Sequence, residues 1–179
     1  MTSKSLSLNA RRLDRQFSYG VSNSVGKDRD LSYKNNFLKR LNDLYSSAFI
    51  SMLRFRRHYF LVDEGSMKKI VNSFLFYSNE DRNHADSLAD HLIKTGGIPV
   101  FSMQEMASIN SLNCSIDDTL KKMIVENLMA CRSIIVSCRD LLYFIDKRES
   151  VTNLLINSIL NEKEEHAEDL QEFLEGLSI

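Results

Sequence analysis

Two segments of the sequence combine an acidic residue with a histidine at helical spacing. Asp81 and His84 are three residues apart, so on a helix both side chains would lie on one face, about one turn apart. A similar segment near the C-terminus runs from Glu162 to Leu170 and contains His166. Two such acid–histidine helices supply half of a carboxylate-bridged metal site in a four-helix bundle. The rest of the chain determines whether the other half is present.

The elements that would position these residues are long helices. Only six glycines and one proline occur among 179 residues, which favours an all-α protein over short strands joined by turns. Hydrophobic periodicity predicts four helices and two N-caps: about 33–63, 67–94, 115–146 and 151–174, with Ser66 capping the second and Ser115 the third. The connection 96–114 is long enough to cross the full height of a bundle. We therefore expect an all-α four-helix bundle with a long crossover between helices two and three.

Several polar residues fall on the inward stripes of these helices. Asp81 and His84 lie inward in helix two, Asn127 in helix three, and Lys163 and His166 in helix four. Charged side chains are rarely buried without a partner or a metal. The stripes therefore predict a polar cluster in the middle of the bundle. By contrast, we expect His58 at the surface, and His91 at an exposed or interface position.

Residues 1–33 differ in composition from residues 34–177, which we assign to the bundle. They are rich in Ser, Asn and Arg and contain few acids. We expect a flexible or partner-docking N-terminal extension. The alternative is that residues 1–17 form an organelle transit peptide, which would replace a cytoplasmic location by an organelle matrix.

Composition argues against several other classes. A formal net charge of −1 gives no reason to expect nucleic-acid binding, which usually requires a basic domain or stripe. No apolar run approaches about 18 residues, so no membrane span is expected. The three cysteines have neither zinc-site nor Cys-x-x-Cys spacing, and we expect buried, reduced thiols of a cytoplasmic protein. No Ser/His/Asp or Cys/His catalytic pattern is present.

The ferritin-like arrangement consists of two long helices, a long crossover and two more long helices. Three segments of this chain resemble the corresponding segments of the bacterioferritins and their ferritin-like relatives. Those segments are Leu41-Asn42-Asp43-Leu44, His84-Ala85-Asp86 through Gly96-Gly97-Ile98-Pro99, and Glu165-His166-Ala167-Glu168-Asp169-Leu170. The resemblance covers about residues 37–175. It implies a protein that oxidises Fe²⁺ at a di-iron site in each subunit and stores the mineral in a hollow homo-oligomer.

The resemblance also implies a ligand set. Such sites take one carboxylate from helix one, a Glu-x-x-His from helix two, one carboxylate from helix three and a Glu-x-x-His from helix four. In this chain the six positions hold Ala48, Asp81, His84, Asn127, Lys163 and His166. The haem-ligating methionine of bacterioferritins falls on Arg82, so no haem is expected.

Charge determines how these substitutions are interpreted. Four carboxylates would neutralise two Fe²⁺ ions, whereas here Asp81 is the one carboxylate and Lys163 adds a positive charge. Two further divalent cations would be strongly unfavourable in a low-dielectric core. We expect Lys163 to take the place of the metal, pairing with Asp81 and, if helix three is turned slightly, with Glu126. Two alternatives stay open: a single iron or other divalent metal held by Asp81, His84 and His166, and an intact di-iron oxidase.

Two functions from different classes follow. One is a non-catalytic structural or assembly subunit, either a homo-oligomer, a partner of active ferritin-like subunits, or part of a larger complex joined through residues 1–33. It would have no catalytic residue and no cofactor. The other is an iron-binding or iron-storage protein with an unusual reduced site, a ferroxidase-type oxidoreductase if it is active.

Overall fold

The computed structural model describes the backbone of residues 3–62, 67–102, 104, 106, 119–145 and 149–177, and within these ranges it describes side chains from residue 30 onward. Within these ranges all regular secondary structure is α-helical, and residues 95–102 form a turn and the start of a connection. The helices are α1 (Ser3–Leu61), α2 (Lys68–Lys94), α3 (Leu120–Phe144) and α4 (Ser150–Gly176). This confirms the expected all-α four-helix architecture.

The chain divides into two compact units, residues 1–36 and residues 37–179. The first unit is helical from Ser3, so the expected start of helix one near Tyr33 is wrong. The segment contains two isolated glycines and no proline, and an isolated glycine costs a helix only about 1 kcal/mol. The assignment of residues 1–33 as a docking extension or transit peptide stays a prediction.

The other helix boundaries differ little from expectation, except at the start of α3. That helix is capped by Thr119, whose side chain accepts a hydrogen bond from the backbone N–H of Lys122, rather than by Ser115. Ser66 and Ser115 both lie outside the described residues. The described residue before α2 is Met67, which has a left-handed backbone conformation with φ 30°.

Two apolar clusters fill the second unit. One contains Leu41 and Leu44 of α1 with Leu88 of α2 and Ile134 of α3. The other is built from aromatic and aliphatic residues that include Phe55, Phe74, Tyr77, Ile124 and Leu170. Asn127 of α3 lies among the residues of the second cluster, whereas Asp81 and His84 of α2 and Lys163 and His166 of α4 fall between the two clusters. They therefore form a polar layer enclosed by apolar layers.

The end of α2 is held against α1 by a side-chain clamp. Gly96 has φ 84°, a conformation that glycine adopts without the Cβ penalty. The Asn42 amide then donates to the carbonyl of Ile98 at 2.9 Å and accepts from the N–H of Val100 at 3.0 Å. The start of the crossover is fixed by these contacts. None of the described helices is long and apolar enough to cross a membrane.

Candidate functional site

The centre of the polar layer is an ion pair between Asp81 of α2 and Lys163 of α4. The Lys163 ammonium contacts Asp81 Oδ1, and both side chains are fully buried. The Lys163 Nζ atom also lies 5.7 Å from the centre of the Phe55 ring, close enough for a cation–π attraction. The expected pairing of Lys163 with Asp81 is confirmed.

Each partner stabilises the charged form of the other. Burial by itself would raise the pKa of Asp81, but the charge and hydrogen bonds of its neighbours, led by Lys163, hold that pKa below its usual value. Burial by itself would lower the pKa of Lys163, yet the Asp81 carboxylate raises it above its usual value. The pair is therefore ionised across the ordinary pH range, as buried charges with a close partner can be.

His166 lies beside this pair and is held as a neutral ring. Its Nδ1 is 3.4 Å from Lys163 Nζ, and its Nε2 is 2.5 Å from Glu80 Oε2. Because an ammonium group can only donate, Nδ1 accepts and the ring proton belongs on Nε2, which donates to Glu80. Burial first, and then the Lys163 charge, lower the pKa of His166 to about 3.

His84 faces carboxylates with both ring nitrogens. Its Nε2 lies 2.8 Å from Glu162 Oε2, and its Nδ1 lies 3.5 Å from Asp81 Oδ1. The two histidines are therefore placed in similar positions but in contrasting surroundings: an ammonium beside His166 and a carboxylate beside His84.

The outer carboxylates of the layer form a reciprocal arrangement that sequence analysis missed. Glu80 of α2 pairs with His166 of α4, while Glu162 of α4 pairs with His84 of α2. Burial, followed by the nearby Glu162 charge, raises the pKa of Glu80. The signal that could have revealed this is the shared acid–x–x–x–His–Ala–x–x–Leu pattern, which begins at these two glutamates.

The helix-one and helix-three positions hold no carboxylate within the buried layer. Ala48 and Asn127 are both fully buried, and the Asn127 side-chain oxygen lies 3.2 Å from His58 Nδ1. Glu126 Oε2 lies 3.6 Å from His58 Nε2, so among the described contacts Glu126 faces His58 and the expected contact with Lys163 is not found. A surface position for His58 is wrong, because Asn127 gives this ring a buried partner.

The prediction for His91 is also wrong. This ring is buried, and its Nε2 lies 2.8 Å from the Thr152 hydroxyl of α4, so a partner on another helix compensates for its burial. Cys131 and Cys138 are buried as expected, and burial raises their pKa values to about 11 and about 12. Such thiols are unreactive at neutral pH. Cys114 lies outside the described residues.

A cavity of about 250 Å³ adjoins the layer between α2 and α4. Its lining includes Glu80, His84, Ser158 and Glu162. Within the ranges that the structure describes, no group of three or more His, Cys, Asp or Glu side chains is arranged to hold a metal ion. Asp81 lies 3.5 Å from His84, and the Lys163 ammonium contacts both Asp81 and His166. A metal site at Asp81, His84 and His166 stays a prediction.

Comparison with known proteins identifies relatives along most of the chain. A family model described as Ferritin, ferritin-like domain, matches residues 38–179. The nutrient stress-induced DNA-binding protein of Nostoc sp. (strain PCC 7120 / SAG 25.82 / UTEX 2576) is 27% identical over 137 residues, which cover 75% of this chain and 74% of that protein.

Solved structures with the same fold include three bacterial proteins. The dodecameric thioferritin of Bacteroides fragilis, a bacterioferritin-related protein, has a TM-score of 0.72 and 21% identity, covering 81% of this chain and 88% of its own. Dps from Thermosynechococcus elongatus has a TM-score of 0.74 and 20% identity, covering 80% and 92%. BfrA from M. tuberculosis has a TM-score of 0.70 and 19% identity, covering 80% and 85%. At these identities the likeness establishes the fold alone.

Proposed function

The chain belongs to the ferritin-like domain family, whose model matches residues 38–179, and we propose that it is a structural or assembly subunit that has lost di-iron ferroxidase chemistry. The observation that carries this proposal is the position of Lys163. Its ammonium lies on Asp81 at the centre of the bundle, and both groups are fully buried. A fixed positive charge therefore occupies the place where a di-iron centre would bring its cations.

The residues present do not fit a two-iron centre. Ala48 has no atom that can bind a metal, and the Asn127 amide is neutral and engaged with His58. Lys163 places a cation at the helix-four position where the ferritin-like ligand set has a carboxylate. Asp81 is the one fully buried carboxylate of the layer, and it is paired with the Lys163 ammonium, whereas Glu80 and Glu162 lie at the half-buried edge against the two histidines. Two further divalent ions at this centre would be poorly compensated in a low-dielectric interior. The ion pair itself needs no metal, because each charge neutralises the other.

The assembly part of the proposal rests on family membership and on surface character. The thioferritin relative is described as dodecameric, and this chain leaves large apolar side chains exposed, such as Met129, Tyr143 and Leu154. Exposed apolar patches often mark interaction surfaces. We propose that the chain forms a homo-oligomer or co-assembles with ferritin-like subunits, in the cytoplasm.

Nucleic acid is not part of the proposal, although the name of the Nostoc relative includes DNA binding. Residues 34–179 contain 17 Lys and Arg against 21 Asp and Glu, so the bundle is acidic. A phosphate backbone would be repelled by such a surface. Segment 1–33 differs, because it contains six basic residues and three acids. Any binding of nucleic acid should therefore be tested on this segment.

The test is the aerobic oxidation of Fe²⁺ by the purified full-length protein, with elemental analysis of the same sample. We expect the rate of buffer alone and no stoichiometric metal. Saturable oxidation with bound metal would overturn the proposal, provided that Asp81→Asn abolishes it. The Asp81→Asn variant separates oxidation at the central layer from oxidation by iron adsorbed elsewhere.

A second candidate is iron binding at a reduced site of Asp81, His84 and His166. The observation in its favour is that His166 is neutral, the form in which imidazole binds metals. For a metal to bind, Lys163 would have to leave Asp81 or lose its proton. Stoichiometric iron that disappears in both Asp81→Asn and His166→Gln would identify this site.

A further inference from the structure

The cavity between α2 and α4 is acidic at one end and apolar along part of its wall. It has a volume of about 250 Å³, and its acidic end is lined by Glu80 and His84 of α2 and by Glu162 of α4. Leu155 and Ile159 also line it, and they precede Glu162 by about two turns and one turn of the same helix. We call this space the α2–α4 cavity.

The acidic end carries an excess of negative charge. Among the described residues of the polar layer, three carboxylates meet one ammonium, that of Lys163. The neutral ring of His166 adds no charge, so at least one negative charge is in excess whichever protonation state His84 adopts. Burial, followed by the Glu162 charge, raises the pKa of Glu80. A cation beside both glutamates would relieve their repulsion.

Hydrogen-bond acceptors, rather than metal ligands, surround this end of the cavity. In the part of the chain that the structure describes, no three His, Cys, Asp or Glu side chains are arranged to hold a metal ion. An ammonium group requires acceptors for three N–H donors. Because each carboxylate offers about four lone-pair positions, Glu80 and Glu162 can accept from an ammonium and keep their histidine partners. The Ser158 hydroxyl, which donates to Glu162 at 3.1 Å, and the Asn83 amide add further oxygens to the lining.

The size and the apolar wall restrict the ligand further. Sites for drug-sized ligands have volumes of roughly 300–1,000 Å³, so a cavity of about 250 Å³ suits a smaller molecule. Leu155 and Ile159 offer a surface on which a short alkyl chain can leave water. An anion would be repelled by the two glutamates, and a neutral molecule would leave the excess charge uncompensated.

We propose that the α2–α4 cavity binds a primary alkylammonium ion, whose nitrogen donates to Glu80 and Glu162 and whose carbon chain lies against Leu155 and Ile159. The inference goes beyond the proposed assembly role. It depends neither on that role nor on the loss of iron chemistry, because the site lies within one copy of the chain and beside the central ion pair.

Isothermal titration of the full-length protein at fixed ionic strength tests the site, with n-butylammonium chloride as the probe. We expect saturable binding of one ion per chain, whereas 1-butanol, which has the same chain without the charge, should not bind. Glu80→Gln and Glu162→Gln should each weaken binding about tenfold, because each removes a hydrogen bond to a charged acceptor. The matched control Glu172→Gln removes the same charge from an exposed position of α4 outside the cavity and should leave binding unchanged.

A cavity-filling variant tests the volume separately from the charge. Ser87 lines the cavity, so Ser87→Met should abolish binding without altering either glutamate. Circular dichroism of each variant shows whether a loss of binding reflects misfolding.

Four results would overturn the proposal. One is the absence of saturable binding of n-butylammonium to the wild type. Another is equal binding of 1-butanol, which would reduce the site to an apolar cavity. An equal loss in Glu172→Gln would indicate a general charge effect. Displacement of the probe by Mg²⁺ at equal concentration and ionic strength would assign the acidic end to inorganic cations.

Discussion

Asp81 and Lys163 occupy equivalent positions of two similar helical segments and form a fully buried ion pair across the bundle. Each is preceded by a glutamate and followed three residues later by a histidine. The two segments therefore present the same polar pattern to each other, with opposite charges at the central position. This single difference makes the central pair self-neutralising, whereas two acids at these positions would require cations between them.

The first prediction concerns the stability of this pair. Lys163→Met should destabilise the protein by about 3–5 kcal/mol, because it leaves the Asp81 carboxylate buried without its ammonium partner. The double variant Asp81→Leu with Lys163→Met should recover most of that loss, since replacing both charges removes the desolvation penalty of both. Urea unfolding of the two single variants and the double variant measures the coupling free energy.

An exposed ion pair provides the control for this cycle. Lys39 Nζ lies 2.9 Å from Asp43 Oδ2 on α1, and the lysine side chain is 73% exposed. Lys39→Met should cost about 0.5 kcal/mol or less, because solvent screens such pairs. If the Lys163 and Lys39 variants lose equal stability, then burial of the central pair has no energetic consequence and the interpretation is wrong.

The second prediction is that metal binding can be created by restoring the missing carboxylates. The triple variant Ala48→Glu, Asn127→Glu and Lys163→Glu should be less stable than the wild type without metal, because the acids repel one another. It should bind about two divalent ions per chain, as four carboxylates and two imidazoles favour, and its melting temperature should rise with metal. Isothermal titration with Fe²⁺ under argon and thermal unfolding measure both effects.

The matched control for this design carries glutamine at the same three positions. It has similar side-chain volume without negative charge and should show no rise in melting temperature with metal. A wild-type protein that binds Fe²⁺ as tightly as the carboxylate variant would contradict the role assigned to Lys163.

The third prediction is a pH dependence that originates at His166. Its folded pKa is lowered to about 3, whereas an unfolded histidine has a pKa of about 6.5. As the pH falls below about 6.5, the unfolded state takes up this proton and the folded state does not. Stability is therefore lost progressively from about pH 6.5 toward pH 3. Urea unfolding between pH 7.5 and 4.5 should show this slope.

Neighbouring groups titrate in other windows or with the opposite sign. Asp81 has a lowered pKa, so its contribution is lost only below about pH 3.9, its unfolded pKa. Glu80 has a raised pKa and takes up a proton in the folded state first, which opposes the His166 effect above about pH 4.3. His166→Gln should flatten the slope between pH 6.5 and 4.5. An unchanged slope in that variant would place the effect elsewhere.

The inward stripe of each helix made the centre of the site predictable. Asp81, His84, Asn127, Lys163 and His166 fall at the same helical phase as neighbouring apolar residues, so their burial follows from periodicity. The ion pair followed from charge, because two opposite charges that must be buried near each other have no better partner.

The outer parts of the site could not be predicted in the same way. Glu80 and Glu162 lie at the edge of the stripe and are half-buried, with 24% and 37% of their side chains exposed. Their long side chains reach histidines on the opposite helix, which the periodicity of their own helix does not reveal. The surface and interface positions expected for His58 and His91 are wrong for the same reason. Their partners Asn127 and Thr152 belong to other helices.

The fourth prediction concerns the clamp that begins the crossover. The Asn42 side chain donates to the Ile98 carbonyl and accepts from the Val100 N–H. It therefore satisfies two backbone groups that have no hydrogen-bond partner within a helix. Asn42→Ala should cost about 1–3 kcal/mol, because both groups lose their partner. Asn42→Asp keeps the acceptor for the Val100 N–H but loses the donor to the Ile98 carbonyl, so its cost should be intermediate.

Hydrogen exchange of the Val100 amide should accelerate strongly in the alanine variant and much less in the aspartate variant. Equal acceleration in both would show that the hydrogen bond from Val100 contributes nothing to protection, and that the crossover is held by apolar packing around Gly97 instead.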